Sequence, residues 1–294
     1  MRIIIRGMFL GCLLFHVHRA HSNDIPEGKI YTYKAEARAT RQIEIHFPKN
    51  HDASTESVPG IIMFHGGGWG GGERDQFRYL CHYFARRGLV AATVSYRLAT
   101  KEDRGEGSRK RVCITDAKSA VRWFKQHADE LGIDSERIIA GGGSAGGHIS
   151  LLATTNPGLN DPDDNMEYDT SVVAYLLFNP ALGIADTKDP EVDFIQHLQP
   201  DFPPAIVFFG SEDKKWLAGW NRADEKMKLL KIQSVELWIA KNQEHSFFNQ
   251  QPWQDITIHA SDEFLTSLGF IDGKPALALP ETEAMLIKQS SDTQ

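Results

Sequence analysis

The sequence predicts an α/β fold: a mostly parallel central sheet flanked by helices on both faces, with at most a small lid. Three observations predict it. Short, continuous apolar runs recur along the chain, as strands buried on both faces of a parallel sheet require. Stretches of helical period lie between them, and that alternation is the pattern of a covered sheet. The length of 294 residues, with 41% hydrophobic and 24% charged side chains, allows one large domain with its own core.

The elements follow in order. IEIHF (43–47) alternates apolar and polar side chains, as a half-buried strand does. GIIMF (60–64) is bounded by Pro59 and a glycine cluster, and LVAATVS (89–95) is apolar and rich in valine. RIIAG (137–141), VVAYLLF (172–178), AIVFF (205–209) and VELWI (235–239) are strands of the same kind. Between them, 77–88 sets Tyr79, Leu80, Tyr83 and Phe84 on one side and stops at Gly88. The stretch 116–132 repeats Ala117, Ala120, Val121, Phe124 and Ala128 at helical spacing, and Gly132 is placed to end it. Helical patterns over 221–232 and 255–269 complete the set. The polar segments 99–112, 156–169 and 183–204 read as surface loops, and the last is long enough for a small lid or cap.

Both ends stand apart from a domain over 23–280. Arg2 and Arg6, an apolar run from Met8 to Val17, and Ala20-His21-Ser22 form the pattern of a signal peptide over 1–22, so export is expected. The run is too short to span a bilayer as a mature helix, so no stable membrane insertion is expected. The alternative is an uncleaved N-terminus. The tail 281–294 is expected to dock loosely. A formal net charge of −7 argues against a nucleic-acid partner, because phosphate binding wants a basic face. Cys12 leaves with the leader. Cys81 and Cys113 then form an even pair that an oxidising compartment could bridge, or two unlinked buried thiols.

The chemistry concentrates in three places. Gly142-Gly143-Ser144-Ala145-Gly146 fits G-x-S-x-G between a strand and a helix, the setting in which a sharp turn exposes a nucleophilic hydroxyl. HGGGW (65–69) directly follows a strand and offers backbone N–H groups for an oxyanion; Gly67, Gly68 and Ala145 are the candidate donors. The order Ser, acid, His then selects Asp213, just past AIVFF, and His245, six residues past VELWI, with Glu212 as the competing acid. His148, His197 and His259 hold weaker positions and read as structural or solvated. Trp69, Trp216, Trp220 and Trp253 lie near these segments, where a sugar could stack on one of them or all could serve as packing.

With these motifs the sequence, from about residue 43 to 270, resembles the α/β-hydrolase family, in its hormone-sensitive-lipase-like and acetyl-esterase-like branch. VSYRL (94–98), GIDSERI (132–138) and GGGSAGGH (141–148) fit that branch, with Asp134 and Arg137 as structural parts of the pattern. Two departures stand out. The branch usually has His-Gly-Phe where this chain has His245-Ser246-Phe247. It often has Val-Pro after the acid, where this chain has Lys214-Lys215-Trp216. The resemblance implies a serine carboxylic-ester hydrolase of short-chain acyl esters with no cofactor and no metal, and carbohydrate acetyl or feruloyl esters as a candidate substrate class. A serine peptidase or amidase on the same fold and a non-catalytic binding protein are the competing readings.

Overall fold

The apolar runs become strands of one nine-stranded sheet. The structure, a computed structural model, describes residues 25–36, 39–104 and 107–289; the leader read over 1–22 lies outside them. In chain order the strands are β1 (Lys29–Glu36), β2 (Ala39–His46), β3 (Val58–Phe64), β4 (Val90–Val94), β5 (Ile133–Gly143), β6 (Ala174–Phe178), β7 (Ala205–Gly210), β8 (Val235–Ala240) and β9 (Leu286–Lys288). The helices are α1 (Arg78–Arg86), α2 (Arg111–Gln126), α3 (Ala128–Leu131), α4 (Ala145–Thr155), α5 (Lys214–Leu229) and α6 (Trp253–Ser267). Across the sheet the order is β1-β2-β4-β3-β5-β6-β7-β8-β9. The run from β4 to β8 is parallel, while β1, β2 and β9 join antiparallel at the two edges.

Side chains of each central strand alternate between two cores, as the two-residue period of a strand dictates. Ile62 and Phe64 face one core with α2, α4 and α5, while Ile61 and Met63 face the other with α1 and α6. Each fully buried Ile, Leu or Phe contributes about 1.5–3 kcal/mol. This two-sided packing decides the cysteine question. Cys81, on α1, and Cys113, on α2, are both buried free thiols, and they sit in opposite cores. The sheet stands between them, so the expected Cys81–Cys113 bridge is not formed. Burial pushes the Cys113 thiol up to about 12, as an apolar site does to any thiol.

Other expectations change at the edges. The polar edge strand β1 has no counterpart in the sequence reading. Within the tail, Leu286–Lys288 is not loosely docked but hydrogen-bonds to β8 as the last strand. The helix read as 116–132 begins five residues earlier, where Arg111 reaches Asp189, and breaks at His127 before α3. Gly132 then ends α3 in the left-handed conformation expected of it, at φ 66°. The helix read as 221–232 starts at Lys214, directly after Asp213. The segment 183–204 holds three short 3₁₀ turns, and its Val192, Phe194, Leu198 and Phe202 are buried in the α2/α4 core. It packs into the body of the domain rather than standing off as a separate cap.

A charged knot fastens the antiparallel edge to α1. The Glu44 carboxylate, fully buried, accepts hydrogen bonds from Arg78 at 2.7 and 2.9 Å, Arg74 at 3.2 Å and the Gly28 N–H at 3.1 Å, and lies 3.1 Å from His46 Nε2. Burial alone would raise this carboxyl. The hydrogen bonds from His46, Arg78 and Gly28 outweigh it and hold the group well below the usual carboxylate range. A depressed folded-state value adds stability that is complete above the unfolded value of about 4.3 and lost as pH falls below it. Glu44→Gln is therefore expected to cost about 2 kcal/mol at pH 7, less than a fully buried pair because both arginines keep an edge in water. Urea midpoints between pH 7 and pH 3 check this: the variant should lose less stability than the wild type on acidification.

The chain leaves β3 for β4 on one side and returns for β5 on the other, so the crevice between the carboxyl ends of β3 and β5 is the switch point where open α/β sheets bind ligands. HGGGW leaves β3 there, and Ser144 leaves β5 there.

Candidate active site

The turn at Ser144 is built from strain and close approach. Ser144 has φ 52° and ψ −117°, which a non-glycine residue adopts only where the surroundings enforce it. The enforcing bonds are the Ser144 N–H to the Phe178 carbonyl at 2.8 Å and the Ser144 carbonyl accepting from Ala181 at 2.9 Å and His148 at 3.2 Å. Gly146 lets α4 sit against the end of β3. A Cβ there would stand 1.9 Å from the Phe64 carbonyl oxygen and 2.5 Å from that of His65. Gly146→Ala is expected to cost about 3 kcal/mol, the upper end of overpacking, and to show as a lower urea midpoint with an unchanged slope.

Residues 65–69 form the opposite lip. A Cβ on Gly66 would lie 3.2 Å from Ser144 Cβ, so the loop borders the hydroxyl directly. Gly67 and Gly68 take φ of 122° and 63°. Among the described residues no protein acceptor takes the N–H of Gly67, Gly68 or Ala145. The loop is pinned on every side. The Gly66 N–H donates to Gln76 Oε1 at 2.6 Å, Tyr96 donates to the His65 carbonyl at 2.6 Å, and the Ala99 N–H donates to the Trp69 carbonyl at 2.7 Å. Gln76 also donates to Asn249 Oδ1 at 3.1 Å, tying this lip to the loop that bears His245. Burial pulls the His65 ring below its ordinary value. Held neutral, its Nδ1–H donates to the Gly66 carbonyl at 2.7 Å.

Asp213, His245 and Ser144 come from the ends of β7, β8 and β5 and meet in one hydrogen-bonded line. His245 Nδ1 is 2.6 Å from Asp213 Oδ2, and His245 Nε2 is 2.7 Å from Ser144 Oγ. The carboxylate can only accept, so Nδ1 carries the proton and the Nε2 lone pair faces the serine hydroxyl. Asp213 is 6% exposed. Asn179, fully buried and directly after β6, donates to the same Oδ2 at 2.9 Å. The sequence reading missed Asn179; its place just past an apolar run, beside the strand that delivers the acid, was the available signal. Glu212 is exposed and pairs with Lys214 at 3.3 Å instead.

The competing histidines are engaged elsewhere. His259 meets the Leu277 carbonyl and His197 that of Pro190. His148 is fully buried; burial, and then the Lys110 charge, lower it to about 4, so the ring is neutral. Its Nδ1 accepts from the Trp69 indole N–H at 3.3 Å and its Nε2–H donates to the Val192 carbonyl at 2.9 Å, which ties α4 to the lip. The tryptophans divide: Trp220 and Trp253 are core, whereas Trp216 stands 6.1 Å from the His245 ring and 6.2 Å from Trp69. Asp134 and Arg137 serve the entry to β5, capping the Glu136 N–H and the Gly269 carbonyl. Among the described residues no group of three or more His, Cys, Asp or Glu could hold a metal ion, and no helix is long and apolar enough to cross a membrane.

A hydroxyl on a strained strand-to-helix turn, a histidine and an aspartate in line behind it, and a glycine lip beside it define the α/β-hydrolase class. Similarity to known proteins agrees. The BD-FAE family model matches residues 43–175. Probable carboxylic ester hydrolase LipM and Esterase LipC, both of Mycobacterium tuberculosis, are each 30% identical, over 54% and 56% of this chain. These matches take in 42% and 47% of the relatives, so the chain spans about half the length of the curated relatives it matches. The apo form of Thermogutta terrifontis esterase 2 aligns with TM-score 0.77 and 31% identity, covering 85% of this chain and 98% of that one. The same enzyme phosphorylated by paraoxon aligns with TM-score 0.77 and 32% identity. The chain belongs to the α/β-hydrolase family of esterases.

Proposed function

We propose that the protein is a serine carboxylic-ester hydrolase acting on short-chain acyl esters. The observation behind this reading is the line from Asp213 through His245 to Ser144, with hydrogen bonds of 2.6 and 2.7 Å beside an unpaired set of backbone donors. Ser144 Oγ attacks the ester carbonyl as His245 Nε2 takes its proton, and the N–H groups of Gly67, Gly68 and Ala145 receive the oxyanion. The imidazolium then protonates the leaving alkoxide, giving the alcohol and an acyl-Ser144. Water, deprotonated by the same Nε2, attacks the acyl carbon, and Ser144 leaves with the proton that His245 returns. Asp213 holds the tautomer and offsets the imidazolium charge; Asn179 holds Asp213.

Short acyl groups are favoured because Thermogutta terrifontis esterase 2 is described with propionate and with butyrate bound. Acetyl or feruloyl esters of carbohydrates are the finer part of the proposal, with Trp216 as a stacking face. Export after cleavage of residues 1–22 completes it, and the N-terminal sequence of the secreted protein tests that. The activity is tested with 4-nitrophenyl acetate, 4-nitrophenyl dodecanoate and an acetyl anilide. Turnover of the acetate, stopped by one equivalent of paraoxon bound at Ser144, is the expected result. Equal rates on the acetyl and dodecanoyl esters would overturn the short-chain preference. Faster cleavage of the anilide would make the protein an amidase.

A further inference from the structure

Two lysines and two indoles form a cluster that reaches His245 through Trp216, and the hydrolytic steps use none of them. Trp69, at the end of the glycine lip, and Trp216, in the first turn of α5, meet edge to face at 6.2 Å. Each carries an ammonium: Lys110 Nζ lies 3.7 Å from the Trp69 ring centre, and Lys215 Nζ lies 4.1 Å from that of Trp216. The two differ in compensation. Lys110 is paired with Asp186 beneath it. Lys214, next along the chain, is paired with Glu212. Lys215 is exposed and has no carboxylate partner among the described residues.

The lysines also sense each other. Burial pulls the Lys110 ammonium below its ordinary value, Asp186 resists, and repulsion from Lys215 adds to the fall. Asp186 compensates Lys110 while Lys215 stays unpaired among the described residues, which leaves a positive spot, one indole away from His245, on a chain whose net charge is −7. The spot arises from Lys214-Lys215-Trp216, where the sequence departs from the pattern it otherwise resembles. A cation over an aromatic face fits a ligand with a flat or ring-shaped apolar body and an anionic substituent. The body lies on the indole and the anion meets the ammonium.

We propose that Lys215 and Trp216, backed by Lys110 and Trp69, form a subsite for an anionic substituent of the ester substrate, so that the preferred esters carry a carboxylate or sulfate near the scissile bond. This rests on the esterase reading. Positive charge at an open rim raises the local concentration of such a substrate and lowers its KM, and salt weakens the effect.

Two matched pairs of esters test it. Mono-4-nitrophenyl succinate against 4-nitrophenyl butyrate puts the charge on the acyl side; 4-acetoxybenzoate against its methyl ester puts it on the alcohol side. The readout is the ratio of kcat/KM, anionic over neutral, in the wild type, Lys215→Gln and Lys215→Glu, so that intrinsic reactivity cancels between proteins. Lys49→Gln, at the opposite end of the sheet, controls for net charge. In at least one pair Lys215→Gln should lower the ratio about threefold through KM, and Lys215→Glu about tenfold. About 0.5 M NaCl should erase the wild-type advantage, and Lys49→Gln should leave the ratio in place. If the neutral esters turn over and neither ratio moves, the subsite is wrong and the esterase reading stands. If no neutral ester turns over, the esterase reading fails and the subsite falls with it.

Discussion

Ser144→Ala is expected to lower kcat on 4-nitrophenyl acetate by about 10⁴-fold or more while the protein folds and melts as the wild type does. The size follows from the geometry. The oxygen removed is 2.7 Å from His245 Nε2, and in the proposed mechanism it is the atom that takes part in both proton transfer and bond formation. Nothing else nearby can replace it. Deleting Oγ leaves the strained backbone in place, because the turn is held by the Phe178, Ala181 and His148 backbone bonds rather than by the side chain. The residual rate should come from the glycine lip alone, which can still polarise a bound ester. Single-turnover kinetics with paraoxon give an independent reading: the wild type should be modified once and the variant not at all. An unchanged kcat in the alanine variant would remove Ser144 as the nucleophile.

The parts of this site that could be read from the sequence are those fixed by local chain geometry. Ser144 and the 65–69 lip each follow an apolar strand directly, so strand plus turn chemistry located them without any tertiary knowledge. Asp213 and His245 needed only the rule that parallel-sheet sites gather at strand carboxyl ends. Asn179 was hidden because its role depends on β6 lying next to β7, a pairing that no local pattern announces. The cysteines failed for a related reason. Parity suggested a pair, but which side of the sheet α1 and α2 occupy decides whether two thiols can meet. β1 and β9 went unread because edge strands, wetted on one side, do not need apolar runs. The wall of Trp69, Lys110, Trp216 and Lys215 spans residues more than 140 positions apart and is visible only in three dimensions.

The second large effect separates two adjacent carboxylates. Asp213→Asn should lower kcat by about 10⁴-fold, whereas Glu212→Gln should stay within about twofold of the wild type, since its exposed partner Lys214 contributes little. In the asparagine variant the His245 Nδ1 partner can be an amide N–H, which forces the imidazole proton onto Nε2. That proton then points at Ser144 Oγ, and the lone pair that should accept from the hydroxyl is gone. Asn179 donates at 2.9 Å to the same Asp213 Oδ2 that meets His245 Nδ1, so it opposes this flip and favours the amide oxygen toward the histidine. The same argument gives a second variant: Asp213→Asn combined with Asn179→Ala removes the donor that holds the amide oxygen toward His245. Its kcat should fall below that of the single variant. A pH–rate profile adds the mechanistic reading, because an enzyme held in the wrong tautomer should recover activity at high pH, where hydroxide can act in place of the lost base. Equal losses at 212 and 213 would show that local charge matters rather than the orientation of His245.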